Sequence, residues 1–306
     1  MGNVSPSHHM NHTGSLNTLS ELIENRMYEL LVPETSGSPI SNQKTYQSIA
    51  IDAAAYHLRT GGQRMRSKLC IQAGLSLGLS SENIVSLGAA CELIHNASLI
   101  HDDIQDRDEY RRGKKTVWAI YGQGVGICTG DLFISAAYLS LSNIDQREII
   151  GKLIKKTHDR IATVIYGQCA DLALKDQLLN DINLYQQIVI AKSGALIGLP
   201  LELCLISAHM PEWLPHIASV VEPFSIGYQI LDDLKDLEED AKSDTKQQSL
   251  NAILVLEQVK GSQNKIDAAK QLAVQKFHES AISANLLPQN LGGQLADLAF
   301  YLADQV

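Results

Sequence analysis

Twice in this chain a long apolar stretch runs into the same acidic spacing. Ile84 to Ile100 leads into Asp102-Asp103-Ile104-Gln105-Asp106, and Ile217 to Ile230 leads into Asp232-Asp233-Leu234-Lys235-Asp236. If each stretch is helical, the first and third acids of each set lie four apart on one face, with the second beside them. Three carboxylates on one face repel one another, so a chain that builds such a face commonly supplies a cation. Magnesium suits it, because it takes carboxylate oxygens while keeping waters and phosphate oxygens as its other ligands. One such run is equally compatible with a solvated helix end. Two of identical spacing, each closing a long apolar helix, point to two walls of one metal-binding cavity.

The rest of the sequence favours helix. Among 306 residues, Pro is scarce (8) and aromatics make up only 5%, against 45% apolar residues, so the core must be mostly aliphatic. Helical spacing covers Leu16 to Leu31, Ala50 to Leu58, Ile149 to Lys175 and Ile182 to Ser207, with Pro200 expected to kink the last or shift its register. Ser80 or Ser81 can cap the helix leading to Asp102, and Pro211 can open the one leading to Asp232. No strand-like alternation stands out. Residues 1–14 are polar and are expected to be disordered, leaving 15–306 as a single all-α domain, with a polar loop over Glu238 to Gln248.

Formal charge is −9, with no basic run fit to grip a nucleic-acid backbone. The cysteines at 70, 91, 128, 169 and 204 are widely spaced and show no metal-binding pattern, which suits free thiols in a reducing compartment. No leader-like apolar segment opens the chain, and no uninterrupted apolar run reaches the ~18 residues of a membrane span. A soluble, cytoplasmic protein is expected. Basic groups follow a glycine pair in Gly61-Gly62-Gln63-Arg64-Met65-Arg66, where a tight turn into a helix start favours an anion. His95 lies about two helical turns before Asp102, so both can face one cavity.

These residues together resemble the polyprenyl synthetase family, the trans-isoprenyl diphosphate synthases. The resemblance rests on Gly61-Gly62-x-Arg64-x-Arg66, Glu92-Leu93-Ile94-His95, the Asp102 set with Arg111-Arg112-Gly113, and Gly130-Asp131. It continues through Gly167-Gln168, Lys192-Ser193 and Gln229-Ile230 ahead of the Asp232 set. It implies an all-α bundle of long helices around a central apolar cavity, usually as a homodimer. It also implies joining of an allylic diphosphate to isopentenyl diphosphate, by ionisation, condensation and elimination. By the family pattern Asp102, Asp103, Asp106, Asp232 and Asp236 hold up to three magnesium ions, or manganese in their place, with Asp233 in support. Arg111, Lys192 and Lys242 hold the allylic diphosphate; Arg66, His95 and Arg112 hold isopentenyl diphosphate; Gln168 sits near the reacting carbons, and Gln229 joins the substrate-binding set.

Three departures stand out. Gln63, in the isopentenyl site, replaces the usual lysine, Ser67 the usual proline, and Trp118 a common histidine. Gln63 leaves open a second reading: a class I terpene synthase, or a prenyl transferase to another acceptor, needs the allylic site alone. Ala97 and Ser98, both small and just ahead of Asp102, favour a product of twenty carbons or more.

Overall fold

The computed structural model describes residues 7–32, 46–174, 179–240, 251–260 and 264–306. The chain divides into two compact units, Met1–Ile154 and Lys155–Val306. In the first, the helices are α1 (Ser7–Leu31), α2 (Tyr46–Arg59), α3 (Met65–Ser76), α4 (Ser81–Gln105), the short α5 (Val117–Tyr121) and α6 (Gln123–Ser142). Helix α7 (Arg147–Leu174) follows, its residues from Lys155 belonging to the second unit. There α8 (Ile182–Val189) leads through a π-helical turn, Ile190–Gly194, into α9 (Ala195–Ser207). A 3-10 turn at Pro211–Trp213 precedes α10 (Leu214–Asp240), and then come α11 (Ala252–Lys260), α12 (Lys265–Asn285) and α13 (Gly293–Ala303). The all-α expectation holds.

In the first unit α4 packs against α6, α1 and α3. Ile84, Leu87, Leu93 and Ile100 of α4 are fully buried, as are Ile23, Met27 and Leu31 of α1 and Phe133 of α6. Ser80 caps α4 as its type predicts, its side chain accepting the Asn83 amide at 3.2 Å. In the second unit α10 packs on α12, and α12 on α13. Phe224 and Phe277 meet edge to face at 5.9 Å. Glu202 of α9, only 1% exposed, is held by Arg160 at 2.7 and 2.5 Å and by Lys156 at 3.3 Å.

Several elements differ from the sequence expectations. Helix α1 begins at Ser7, inside the stretch expected to be disordered, because polar residues extend an already nucleated helix at little cost. Helix α10 continues to Asp240, so the second acidic set lies within a helix rather than at its end. The irregularity expected at Pro200 falls earlier, where the Ala195 amide reaches Ile190 O instead of Ala191 O. A two-stranded ribbon, β1 (Tyr110–Arg111) with β2 (Lys114–Lys115), was not foreseen. Its turn residues Arg112 and Gly113 both have positive φ, 53° and 74°, as a type I′ turn requires.

Three helices are long and apolar enough by composition to cross a membrane: Ser81–Gln105, Gln123–Ser142 and Ile182–Ser207, with mean hydropathies of 1.2, 1.4 and 1.8. Uninterrupted runs concealed this. The first and third bury 78% of the apolar window inside the protein, which accounts for their composition; the second buries 44%.

Truncating Arg160 to Met leaves the buried Glu202 carboxylate with Lys156 alone and is expected to cost about 3 kcal/mol. Ser80→Ala is expected to cost about 1 kcal/mol, the worth of a helix cap. Urea titration of both variants checks the order of the two losses.

Candidate active site

In the first unit the site grows from the C-terminal end of α4. Asp102 and Asp103 lie in its last turn, and Asp106 is its C-cap, its amide bonded to Asp102 O at 2.9 Å. Negative charge there opposes the helix dipole as well as its neighbours, so a counter-cation is needed. Arg111 supplies one from β1. Its Nε donates to Asp103 Oδ1 at 2.6 Å, and its Nη2 lies 3.6 Å from Asp102 Oδ2. Asp103 is 2% exposed, and burial pushes its carboxyl up to about 6 despite the Arg111 guanidinium. Asp102 and Asp106 are half-buried.

The ribbon that carries Arg111 and Arg112 is fastened to the end of α2. Arg112 Nη1 donates to Gly61 O, Lys114 Nζ to Arg59 O at 2.9 Å, and the Tyr56 hydroxyl to Lys115 O at 2.6 Å. The Lys114 contact puts a cation on the last carbonyl of α2, where the helix dipole favours it. The guanidinium of Arg112 lies against Gly62, where a Cβ would stand 2.6 Å from Nη1 and displace the end of that side chain. Facing it, half-buried His95 is held well below the usual histidine range by burial and by Arg66, Arg112 and Arg111. His95 is therefore a neutral ring among cations at pH 7. Arg64, at positive φ ahead of α3, turns away to pair with Glu24, and Gln63 is exposed.

In the second unit the sequence-predicted residues gather on α7, the π turn and α10. Lys192, in the π turn, bonds Asp171 Oδ2 of α7 at 2.6 Å. Asp171 lies three residues after half-buried Gln168, on the same face of α7, and no local signal in the sequence marks it as the Lys192 partner. Gly167 makes the approach possible: a Cβ there would stand 2.6 Å from the Lys192 amide nitrogen.

Asp232 is half-buried and Asp236 exposed, with Lys235 Nζ 3.6 Å from Asp232 Oδ1. Burial raises the Asp232 carboxyl above the usual range. Asp233 is turned inward instead. Its Oδ2 accepts from the Tyr185 hydroxyl and the Ala252 amide, each at 2.7 Å, and its Oδ1 from Gln229 Nε2 at 3.0 Å. Burial drives its carboxyl up to about 6, opposed by those three donors. Gln229, grouped by the sequence with substrate-binding residues, is thus engaged with Asp233, and Lys242 lies outside the described residues.

The two acidic sets share one division of labour. The middle acid, Asp103 or Asp233, is spent on protein donors, while the flanking acids remain partly open to solvent. Asp233 thus sits where the sequence placed it, behind the flanking acids, and Asp103 is paired with Arg111. Among the described residues no three His, Cys, Asp or Glu side chains already converge on one point that could hold an ion. The donor chemistry of the flanking acids, carboxylate oxygen only, fits a hard divalent cation that completes its shell with water and phosphate oxygens.

Two outcomes follow. Because Asp233 in the folded protein holds its proton up to about 6, against 3.8 for an unshifted carboxyl, the native state binds the extra proton between those values. The stability of wild type relative to Asp233→Asn should therefore fall as pH rises from about 4 to about 6, by on the order of 3 kcal/mol, in metal-free urea titrations. Gly167→Ala drives a methyl into the Lys192 backbone and should cost about 1–3 kcal/mol, read as a lowered melting temperature.

The model of the family described as polyprenyl synthetase matches residues 47–284. The chain is 32% identical over 195 residues to a geranylgeranyl pyrophosphate synthase of Geoglobus acetivorans, covering 60% of this chain and 59% of that protein. It is 28% identical over 192 residues to a short chain isoprenyl diphosphate synthase of Methanothermobacter thermautotrophicus, covering 62% and 59%. The match thus spans under two thirds of the length of these relatives. A solved decaprenyl diphosphate synthase from Rhodobacter capsulatus shares the fold, with a TM-score of 0.81 over 97% of this chain and 99% of that one at 19% identity. With most of its length matched by the family's model, the chain belongs to the polyprenyl synthetase family.

Proposed function

We propose that the chain is a magnesium-dependent isoprenyl diphosphate synthase that joins isopentenyl diphosphate to an allylic diphosphate, giving a longer trans-prenyl diphosphate. The observation that carries the reading is the pair of acidic sets with one spacing and one burial pattern, in a chain of this family. In this reading residues 15–306, both compact units included, act as one catalytic domain.

Asp102 and Asp106 from one set, and Asp232 and Asp236 from the other, would hold magnesium, with manganese as a substitute. Such ions, when bound, neutralise the charge that develops on a departing diphosphate. Asp103 holds Arg111 and Asp233 holds the start of α11, each keeping the neighbouring acids in place. Arg111 and Lys192 would bind the allylic diphosphate, displacing in part their contacts to Asp103 and Asp171. Lys242 would assist them. Arg66 and Arg112 would take isopentenyl diphosphate through their planar forks, with Gln63 at the rim. Neutral His95 can donate one ring N–H to the same group without competing as a base. Gln168 would lie beside the reacting carbons. The proton lost after coupling goes to the released pyrophosphate.

The small side chains of Ala97 and Ser98, just ahead of Asp102, support a product of twenty carbons or more. Exposed Ile127 and Leu139 of α6 are apolar surface that a second copy of the chain would cover in a homodimer. The five cysteines are all free, which suits a reducing cytoplasm.

Position 63 favours one rival. With a neutral glutamine there, a class I terpene synthase or a transferase to another acceptor would use the allylic site alone. Incubating the protein with magnesium and each allylic primer, with and without isopentenyl diphosphate, separates the two. Elongated diphosphates of twenty carbons or more are expected. A hydrocarbon or alcohol formed without isopentenyl diphosphate would establish the rival, and no elongated product with any primer would end the proposal.

A further inference from the structure

One buried acid in the first unit has no part in the chemistry above. Glu92 of α4 is 1% exposed, and its Oε1 accepts the backbone amide of Ser67 at 2.9 Å. Helix α3 begins at Met65, so Ser67 is its third residue, whose amide a capping side chain would ordinarily take. The residue in the cap position, Arg64, gives no such bond; its side chain is turned to Glu24. The cap of α3 therefore comes from another helix.

Between Arg64 and Ser67 on that capped turn stands Arg66. The bond exists because residue 67 has an N–H, which a proline would lack. Glu92 is tied in from its other side as well. Its carbonyl accepts Asn96 Nδ2 at 2.7 Å, and Asn96 Oδ1 meets His57 Nε2 at 3.0 Å. Burial holds His57 down at about 4, so it is neutral and donates to Asn96 at pH 7. Three helices, α2, α3 and α4, are thus joined by one buried polar chain that ends at the first turn of α3.

We propose that Glu92 is a positioning residue for isopentenyl diphosphate, fixing the first turn of α3 and with it the place of Arg66. The inference rests on the assignment of Arg66, His95 and Arg112 to that substrate. What matters is the reach of the acceptor, not its charge; a carboxylate so near the cations would by itself weaken anion binding.

Glu92→Gln keeps an acceptor of the same length without the charge, and Glu92→Asp keeps the charge but withdraws the acceptor by one methylene. Calorimetric titration with isopentenyl diphosphate, and separately with a non-ionisable allylic diphosphate analogue, reads the difference. Glu92→Asp should bind isopentenyl diphosphate about five- to tenfold more weakly, the worth of one hydrogen bond, with the allylic affinity within about twofold of wild type. Glu92→Gln should bind both at least as tightly as wild type does. The positioning role is overturned if Glu92→Asp binds isopentenyl diphosphate normally, if Glu92→Gln is equally weakened, or if both ligands lose affinity alike. Failure of the wild type itself to bind isopentenyl diphosphate would overturn the site assignment and this role together.

Discussion

Carboxylates crowded at the end of a helix are the constraint on which the first unit depends. Asp102, Asp103 and Asp106 face each other's charge and the negative end of α4 at once. Left alone, a carboxylate as buried as Asp103 would cost several kcal/mol to ionise. The chain answers with Arg111, at 2.6 Å, carried on a ribbon too short to be stable by itself. The ribbon in turn needs the end of α2, where Arg112, Lys114 and Tyr56 fasten it. The acidic set thus dictates a cation, the cation a ribbon, and the ribbon a place on α2.

The second unit solves the same problem by other means. Asp233 lies within α10, and among the described residues three neutral donors share its carboxylate. One of them is the first amide of α11, a helix start that favours negative charge. That capping role offsets only part of the cost of burying Asp233, and both middle acids end with carboxyls raised to about 6. Equal burial reached through different partners indicates that the position in each set, more than the partner, is what the architecture maintains.

Helices and acidic sets were legible in the sequence because their signals are periodic. Apolar spacing gave α4 and α10, and Ser80 gave a cap that the structure places within one residue of the expectation. What escaped was written in single residues acting at a distance. Nothing near Glu92 marks Ser67 as its partner 25 positions away, and nothing near Asp171 marks Lys192, 21 positions on. The ribbon was missed because its two-residue strands carry no alternation; only Arg112-Gly113, a pair suited to positive φ, marks it. The π turn at Lys192 was hidden behind Pro200, the louder signal for irregular helix geometry.

The departure at Gln63 weighs less once its surroundings are known. Position 63 is exposed, where a cation's attraction for a phosphate is screened by water and salt. Arg112, on the turn of the ribbon, lies against Gly62, and partial desolvation lowers its affinity for a proton. Its guanidinium is already oriented by Gly61 O, and its planar fork suits phosphate oxygens. In the proposed site Arg66 on the capped turn of α3, Arg112 and neutral His95 would remain to receive the diphosphate, with only the charge at position 63 missing. A neutral residue at 63 is therefore compatible with a working second diphosphate site of reduced affinity.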